Sequence, residues 1–122
     1  MLLDVAGLSV TLATARGPLH AVRGVDLALD RGRTLCLVGE SGCGKSTTAL
    51  ALMGLLPRIA TRTAARMRFD DLDLESARAI ARLRGRRIAM IFQDPTASLN
   101  PSLTLGDQLT EGVRHQLGLS RR

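Results

Sequence analysis

Residues 39–47 read Gly-Glu-Ser-Gly-Cys-Gly-Lys-Ser-Thr and match the pattern Gly-x-x-x-x-Gly-Lys-[Ser/Thr] at every fixed position. At this chain's own composition, the four fixed positions would match by chance roughly once in a thousand such sequences, so the signal is strong. A continuous apolar run at 35–38 precedes the loop, and good helix formers fill 45–56 before Pro57. The sequence therefore predicts a strand buried on both faces, a glycine loop and a helix.

The chemistry of this loop suits the phosphates of a nucleotide. Gly42 and Gly44 let the backbone wrap closely around an anion with its N–H groups pointing inward. The helix that begins near Lys45 aims its positive end at the same place, and the ammonium reaches the β and γ phosphates. The Ser46 hydroxyl can coordinate a Mg²⁺ ion that bridges those phosphates, and we expect Thr47 to contact the α phosphate. The alternative is a glycine turn that only connects a strand to a helix.

The remaining elements follow from hydrophobic periodicity. Residues 9–12 and 25–30 alternate as half-buried strands, and the turn signal at 16–18 between them predicts an antiparallel pair. A second continuous apolar run, 88–92, predicts another buried parallel strand, and 66–69 alternates as a short strand. Two more helices are predicted: 76–84 capped by Ser76, and a helix whose apolar residues recur every four positions between Thr104 and Gly118. Strands alternating with helices favour an α/β architecture.

A polar residue follows the second apolar run at once. Gln93 would lie at the carboxyl end of a parallel strand, which is where ligands bind in α/β sheets. It could therefore contact Mg²⁺ or orient an attacking water. A loop-capping glutamine without a ligand explains its position equally well.

Composition limits the other classes of function. The chain has 122 residues, 45% hydrophobic and 23% charged, which is ordinary for a core-forming protein. Its net charge of +6 includes sixteen arginines and a single lysine, Lys45. The arginines are scattered and only two aromatics are available for base stacking, so we expect a compositional bias rather than nucleic-acid binding. The alternative is a non-catalytic basic module that binds nucleotide or nucleic acid. Its best site is 78–87, where Arg78 and Arg82 also fit a solvated helix face.

The two cysteines and the apolar runs indicate a reduced, non-spanning chain. Cys36 and Cys43 lie seven residues apart with only two histidines in the chain, so we expect neither a zinc site nor a disulfide. We expect Cys36 in the core and Cys43 as a small loop residue. The longest apolar run, 49–56, is less than half of what a membrane span needs.

Three stretches together resemble the ATP-binding subunit of ABC transporters, most closely the dipeptide/oligopeptide (and nickel) importer class. They are 34–47, 49–57, and 87–95 followed by Ser-Leu-Asn-Pro at 98–101. The resemblance implies an α/β P-loop NTPase fold, of which this chain is the N-terminal part. It further implies an antiparallel β subdomain over about 1–32, a P-loop strand and helix over 33–57, and a Q-loop strand with its following helix over 86–118, within an incomplete parallel sheet.

The resemblance also implies roles for individual residues. The Walker A loop would bind ATP through Gly39, Glu40, Ser41, Gly42, Cys43, Gly44, Lys45, Ser46 and Thr47. Gln93 would be the Q-loop glutamine, which senses Mg²⁺ and the γ phosphate. Lys45 and Gln93 would serve catalysis, and Ser46 and Gln93 would be the Mg²⁺ ligands.

For the complete protein, the resemblance implies ATP hydrolysis that drives import of peptides or a related solute. The partners would be transmembrane permease subunits facing 94–101, a second nucleotide-binding subunit in a dimer and, indirectly, a solute-binding protein, with no nucleic acid. The location would be peripheral, on the cytoplasmic side of the plasma (inner) membrane. A P-loop kinase or another P-loop ATPase fits the glycine loop but leaves Phe92-Gln93-Asp94-Pro95 unexplained.

Two departures from the family pattern stand out. No aromatic residue precedes Phe69, and Leu12 and Arg16 occupy the region of the family's adenine-stacking ring. The family's signature motif, its Walker B carboxylates and its switch histidine do not occur in these residues, and no apolar run is followed by Asp-Glu. We therefore expect the chain on its own to bind nucleotide weakly and to hydrolyse it negligibly.

Overall fold

The computed structural model describes residues 1–94 and 98–120, which form two compact units, Met1–Arg82 and Leu83–Arg122. The secondary structure comprises five strands and three helices among the described residues. In chain order these are β1 Leu3–Thr14, β2 Gly17–Leu29, α1 Lys45–Met53, β3 Ala60–Thr63, β4 Arg66–Phe69, β5 Leu72–Asp73, α2 Ala77–Leu83 and α3 Leu105–Leu117.

An antiparallel sheet built around β1 dominates the first unit. The strand β2 pairs along one edge of β1, while β3 and β4 pair one after the other along its opposite edge. The short β5 extends the sheet beyond β4. The predicted antiparallel pair and the predicted strand at 66–69 are confirmed, whereas β3 and β5 were not predicted.

Two glycines break the regular pairing of β1 with β2. Gly7 and Gly24 both have positive φ, 65° and 60°, and the register shifts between Val5 and Leu8. Side chains satisfy the two amides, because Asp26 Oδ1 accepts from the Gly7 N–H at 2.6 Å and Ser9 Oγ accepts from the Gly24 N–H at 2.9 Å. The irregularity is therefore stabilised rather than left with unpaired donors.

The β1–β2 connection is tighter than predicted. Thr14 pairs with Gly17, so Ala15 and Arg16 alone form the loop and Pro18 already belongs to β2. Proline is acceptable there because β2 lies at the edge of the sheet.

The core of this unit lies between the sheet and α1. Its buried apolar side chains come from β1, β2, α1, β4 and α2 and from the residue after β5: Val5, Leu8, Val10, Val22, Leu27, Ala51, Met53, Met67, Phe69, Leu74 and Ile80. The helix α1 ends at Met53, three residues before the predicted end, because Gly54 takes a left-handed conformation with φ 62°. The Leu55 N–H then bonds to the Leu50 carbonyl, which closes the helix.

Arg62 on β3 joins three parts of the first unit. Its guanidinium donates to the carbonyls of Ala51, Leu74 and Glu75 at 3.0, 2.9 and 2.9 Å. Burial lowers the pKa of Arg62, and the nearby Glu75 carboxylate acts in the opposite direction. One side chain thus fixes the end of α1 against the segment that leads into α2.

The predicted parallel strands are wrong for the residues that the structure describes. Residues 35–38 have no regular structure, and 88–92 form only a single bridge, between Arg84 and Ile88. Val38 and Ile91 are each 94% exposed, and Cys36 is also exposed rather than in the core. A strand buried on both faces needs paired neighbours and covering helices, and within 1–94 and 98–120 neither segment has a ladder partner.

The helix α3 in the second unit forms as predicted. Thr104 caps it, because the Thr104 hydroxyl accepts from the Asp107 N–H at 3.1 Å, and Gly118 ends it with φ 65°. The helix α2 begins after Ser76, whose hydroxyl accepts from the Ala79 N–H, so that cap is also confirmed. Among the described residues, no helix combines the length and apolarity needed to cross a membrane.

Candidate phosphate-binding site

The glycine loop runs directly into α1, as its sequence predicts. Gly42 and Gly44 have φ values of 82° and 95°, a left-handed backbone that glycine adopts without a steric cost. A Cβ built on Gly44 would lie 2.5 Å from the carbonyl oxygen of Ala21 on β2. The loop therefore lies against the sheet at a point where only glycine fits.

Lys45 is held inside the loop that precedes it. Its Nζ donates to the carbonyls of Gly39 and Glu40, both at 2.7 Å, and lies 3.4 Å from Cys43 Sγ. The residue is half-buried, and its ammonium lies at the loop rather than extending into solvent. An arriving phosphate oxygen would find this cation already in the loop.

The N-terminus of α1 is available to an anion. Its cap residue is Gly44, which has no side chain to accept from the first-turn N–H groups, and that turn holds no acidic residue. Ser46 is exposed and Thr47 half-buried in this turn. The positive end of the helix therefore has no acidic side chain in its first turn, and a bound anion would be stabilised there.

Thr48 is a contributor that sequence reasoning missed. Its hydroxyl donates to the Gly44 carbonyl at 2.9 Å, as does its N–H at 2.8 Å, and the residue is 5% exposed. These two hydrogen bonds to one carbonyl fix the junction between the loop and the helix. The loop motif does not indicate it, because that pattern ends at Thr47.

A cleft of about 750 Å³ adjoins the loop. Its lining residues are neutral or basic and come from β2, from the segment before the loop, from the loop itself and from α1: Leu19, His20, Ala21, Val22, Arg23, Val25, Cys36, Leu37, Val38, Gly42, Cys43, Gly44, Lys45 and Thr48. The β2 contribution was not predicted, because no local pattern shows that Ala21 approaches the loop. Leu12 pairs across the sheet with Leu19, and Arg16 lies in the hairpin loop; neither lines the cleft.

The residues present fit a phosphate group and, through one hydroxyl, a Mg²⁺ ion bound to it. A half-buried ammonium, a helix N-terminus and left-handed glycines favour an anion. No group of three or more metal-ligating side chains occurs within 1–94 and 98–120. A cation here would therefore depend on the phosphates and water for most of its ligands, with Ser46 as the contribution of the loop.

Gln93 belongs to the second unit, Leu83–Arg122, where it is exposed on an irregular segment. Its predicted role toward Mg²⁺ stays a prediction. The segment 94–101 lies only partly within the described residues, since 95–97 fall outside them. At its two described sides, the Ser98 hydroxyl donates to the Asp94 carbonyl at 3.0 Å.

Comparison with known families decides the relationship. The family model described as ABC transporter matches residues 22–121. The chain belongs to the ABC transporter family. This confirms the resemblance predicted from the sequence and the P-loop NTPase fold class, of which the first unit shows the antiparallel part.

The relatives within the ABC transporter family are peptide importer subunits by name. The dipeptide transport ATP-binding protein DppD of Bacillus subtilis is 45% identical over 98% of this chain and 37% of its own length. The oligopeptide transport ATP-binding protein OppD of Mycobacterium tuberculosis is 42% identical over 94% of this chain and 19% of its own length. A putative peptide import ATP-binding protein of Brucella abortus is 44% identical over 99% of this chain and 37% of its own length. The chain thus spans 19% to 37% of the length of these ABC transporter relatives.

Proposed function

We propose that residues 39–47 bind the phosphates of ATP within an ATP-binding subunit of a peptide-importing ABC transporter. The observation that carries this proposal is the Lys45 ammonium, held by two loop carbonyls at the uncapped N-terminus of α1. Membership in the ABC transporter family and the names of the relatives support the choice of ATP and of peptides.

The proposed binding step is an exchange of partners at Lys45. The ammonium leaves the Gly39 and Glu40 carbonyls and takes phosphate oxygens, while N–H groups of the loop and of the first turn of α1 point at the same oxygens. Since Gly44 is fixed against Ala21 and by Thr48, the loop can change these bonds while its junction with the helix stays in place.

A Mg²⁺ ion would be held by the Ser46 hydroxyl and, in the complete protein, by Gln93. When bound, it neutralises phosphate charge and orients the β and γ phosphates. Ser46 is placed for this because it is exposed in the first turn of α1, beside Lys45. The part of Gln93 in this proposal rests on the resemblance, which matches it to the Q-loop position.

For the complete protein, we propose ATP hydrolysis that drives peptide import. It would work as a dimer of nucleotide-binding subunits on the cytoplasmic face of the inner membrane, with permease subunits contacting 94–101 and a solute-binding protein delivering the cargo. Family membership and the relatives' names support this assignment.

Replacing Lys45 with Arg tests the phosphate site. The substitution keeps the charge, but a planar guanidinium fits poorly where a compact ammonium lies between two carbonyls, so we expect ATP affinity to fall about tenfold or more. Isothermal titration of the chain with Mg-ATP measures it. Arg33→Lys, an exposed exchange near the loop, is the matched control and should leave affinity unchanged. Equal affinity in Lys45→Arg and the native chain would refute the assigned role of the lysine.

A further inference from the structure

The segment that leads into α3 is irregular but strongly tied to that helix by one side chain. Gln108 Oε1 accepts from the Asn100 N–H at 2.8 Å. Its Nε2 donates to the Asn100 carbonyl at 3.0 Å and to the Leu103 carbonyl at 3.2 Å. The side-chain amide thus pairs with both backbone groups of Asn100, as a neighbouring strand would.

Shorter-range bonds complete this arrangement. Asn100 Oδ1 accepts from the Ser102 N–H at 3.0 Å, and the Leu103 N–H bonds to the Asn100 carbonyl at 3.2 Å. The Thr104 cap then fixes the start of α3. All of these residues belong to the second unit, so the segment 98–103 and the helix that carries Gln108 are parts of one compact unit.

Burial does not explain why 98–103 holds its shape. Every residue of the segment is exposed, including Leu99 at 46% and Leu103 at 41%. Gln108 itself is half-buried. Hydrogen bonds from a half-buried side chain therefore hold an exposed segment that presents apolar side chains. Fixing such a segment before binding reduces the entropy cost of docking.

We propose that Gln108 is a positioning residue that holds 98–103 in the conformation that docks on the permease subunits. The docking half of this inference rests on the proposed function, which assigns 94–101 to the permease contact. The holding half rests on the three bonds of Gln108 alone. Gln108 acts through Asn100.

Residue-resolved amide hydrogen exchange of the chain tests the holding half. In Gln108→Leu, which loses all three bonds, we expect the Asn100 N–H to exchange about tenfold faster. Gln108→Glu keeps an acceptor for that N–H and should retain most of its protection. Gln116→Leu is the matched control, because the Gln116 side chain bonds to Gly85 instead. Unchanged α3 amides would show that each variant is folded, and unchanged Asn100 exchange in Gln108→Leu would overturn the inference.

Co-purification of the permease subunits with the tagged complete subunit tests the docking half. Gln108→Leu should lower the recovered permease about tenfold and Gln116→Leu should not change it, with ATP affinity equal in both. Faster Asn100 exchange without loss of permease would overturn the docking role. If the native subunit recovers no permease, the proposed partner is wrong while the hydrogen-exchange result still decides the role of Gln108.

Discussion

Two glycines of the glycine loop share a left-handed backbone but differ in what surrounds them. A Cβ on Gly44 would meet the Ala21 carbonyl oxygen at 2.5 Å, a separation that side chains do not tolerate. A Cβ on Gly42 would meet no heavy atom within 4 Å. The two positions therefore separate the cost of backbone conformation from the cost of a steric clash.

Alanine substitutions exploit this difference. Gly42→Ala carries only the conformational cost and should lower the free energy of unfolding by about 1 kcal/mol. Gly44→Ala adds the clash with β2 and should lower it by about 3 kcal/mol, with weaker ATP binding because the loop must move. Urea denaturation of both variants measures the difference. Equal losses would mean that β2 does not constrain the loop.

A second residue-scale effect concerns the ion pair between Asp4 and Arg66. Arg66 Nε donates to Asp4 Oδ2 at 2.6 Å, and Arg66 Nη2 donates to Asp4 Oδ1 at 3.0 Å. The hydrogen bond from Arg66 lowers the pKa of Asp4, and the same bond raises the pKa of Arg66. Because the folded-state pKa of Asp4 is lowered, its contribution to stability is present above the pKa of the unfolded chain and is lost at lower pH.

Asp4→Asn should therefore be less stable than the native chain at neutral pH, and the difference should shrink as pH falls below about 4 and through the lowered pKa of the folded state. Urea midpoints of the two chains across that pH range provide the measurement. Asp71→Asn, in the β4–β5 turn, is the control and should not reproduce the pattern. A pH-independent gap between Asp4→Asn and the native chain would argue against this linkage.

At the scale of elements, the sequence predicted correctly those features that depend on contacts between residues close together in the chain. The Thr104 cap and Gly118 define α3 within the helix itself, and the glycine loop carries its own conformation, so both could be read from the sequence. The end of α1 was misplaced because Gly54, rather than Pro57, stops the helix.

Elements that depend on distant partners were missed or wrongly predicted. The strand β3 exists through its pairing with β1, and its threonine-rich sequence alone is weak evidence for a strand. The segments 35–38 and 88–92 have the composition of buried strands, but that composition predicts a strand only where neighbours cover it. In the site, the part of Ala21 could not be predicted for the same reason, since it comes from where β2 approaches the glycine loop.

Arg62 tests how far one side chain couples elements. Arg62→Leu leaves the carbonyls of Ala51, Leu74 and Glu75 without this donor, so we expect the free energy of unfolding to fall by about 3 kcal/mol. Arg58→Leu removes an exposed arginine from the segment before β3 and should change it by less than about 0.5 kcal/mol. Thermal and urea unfolding measure both. Similar effects of the two substitutions would assign Arg62 to the surface rather than to the junction.

At the scale of the whole molecule, the proposed phosphate site leads to a prediction about hydrolysis by the chain alone. No apolar run followed by Asp-Glu occurs in the 122 residues, and a carboxylate that polarises water is one of the groups that phosphoryl transfer to water uses. We expect the chain alone to bind Mg-ATP and to release phosphate no faster than Lys45→Arg. A phosphate-release assay with both chains measures this, and lysine-dependent turnover would contradict it.

The strand β1 lies between β2 on one edge and β3 and β4 on the other, so its two edges gain their partners at different times during synthesis. As the chain leaves the ribosome, β1 can pair with β2 at once, but its second edge has no partner until residues 60–69 emerge. During that interval the hairpin exposes unpaired N–H and C=O groups to other nascent chains. The translation rate across the intervening glycine loop and α1 therefore sets how long the growing protein is vulnerable to aggregation.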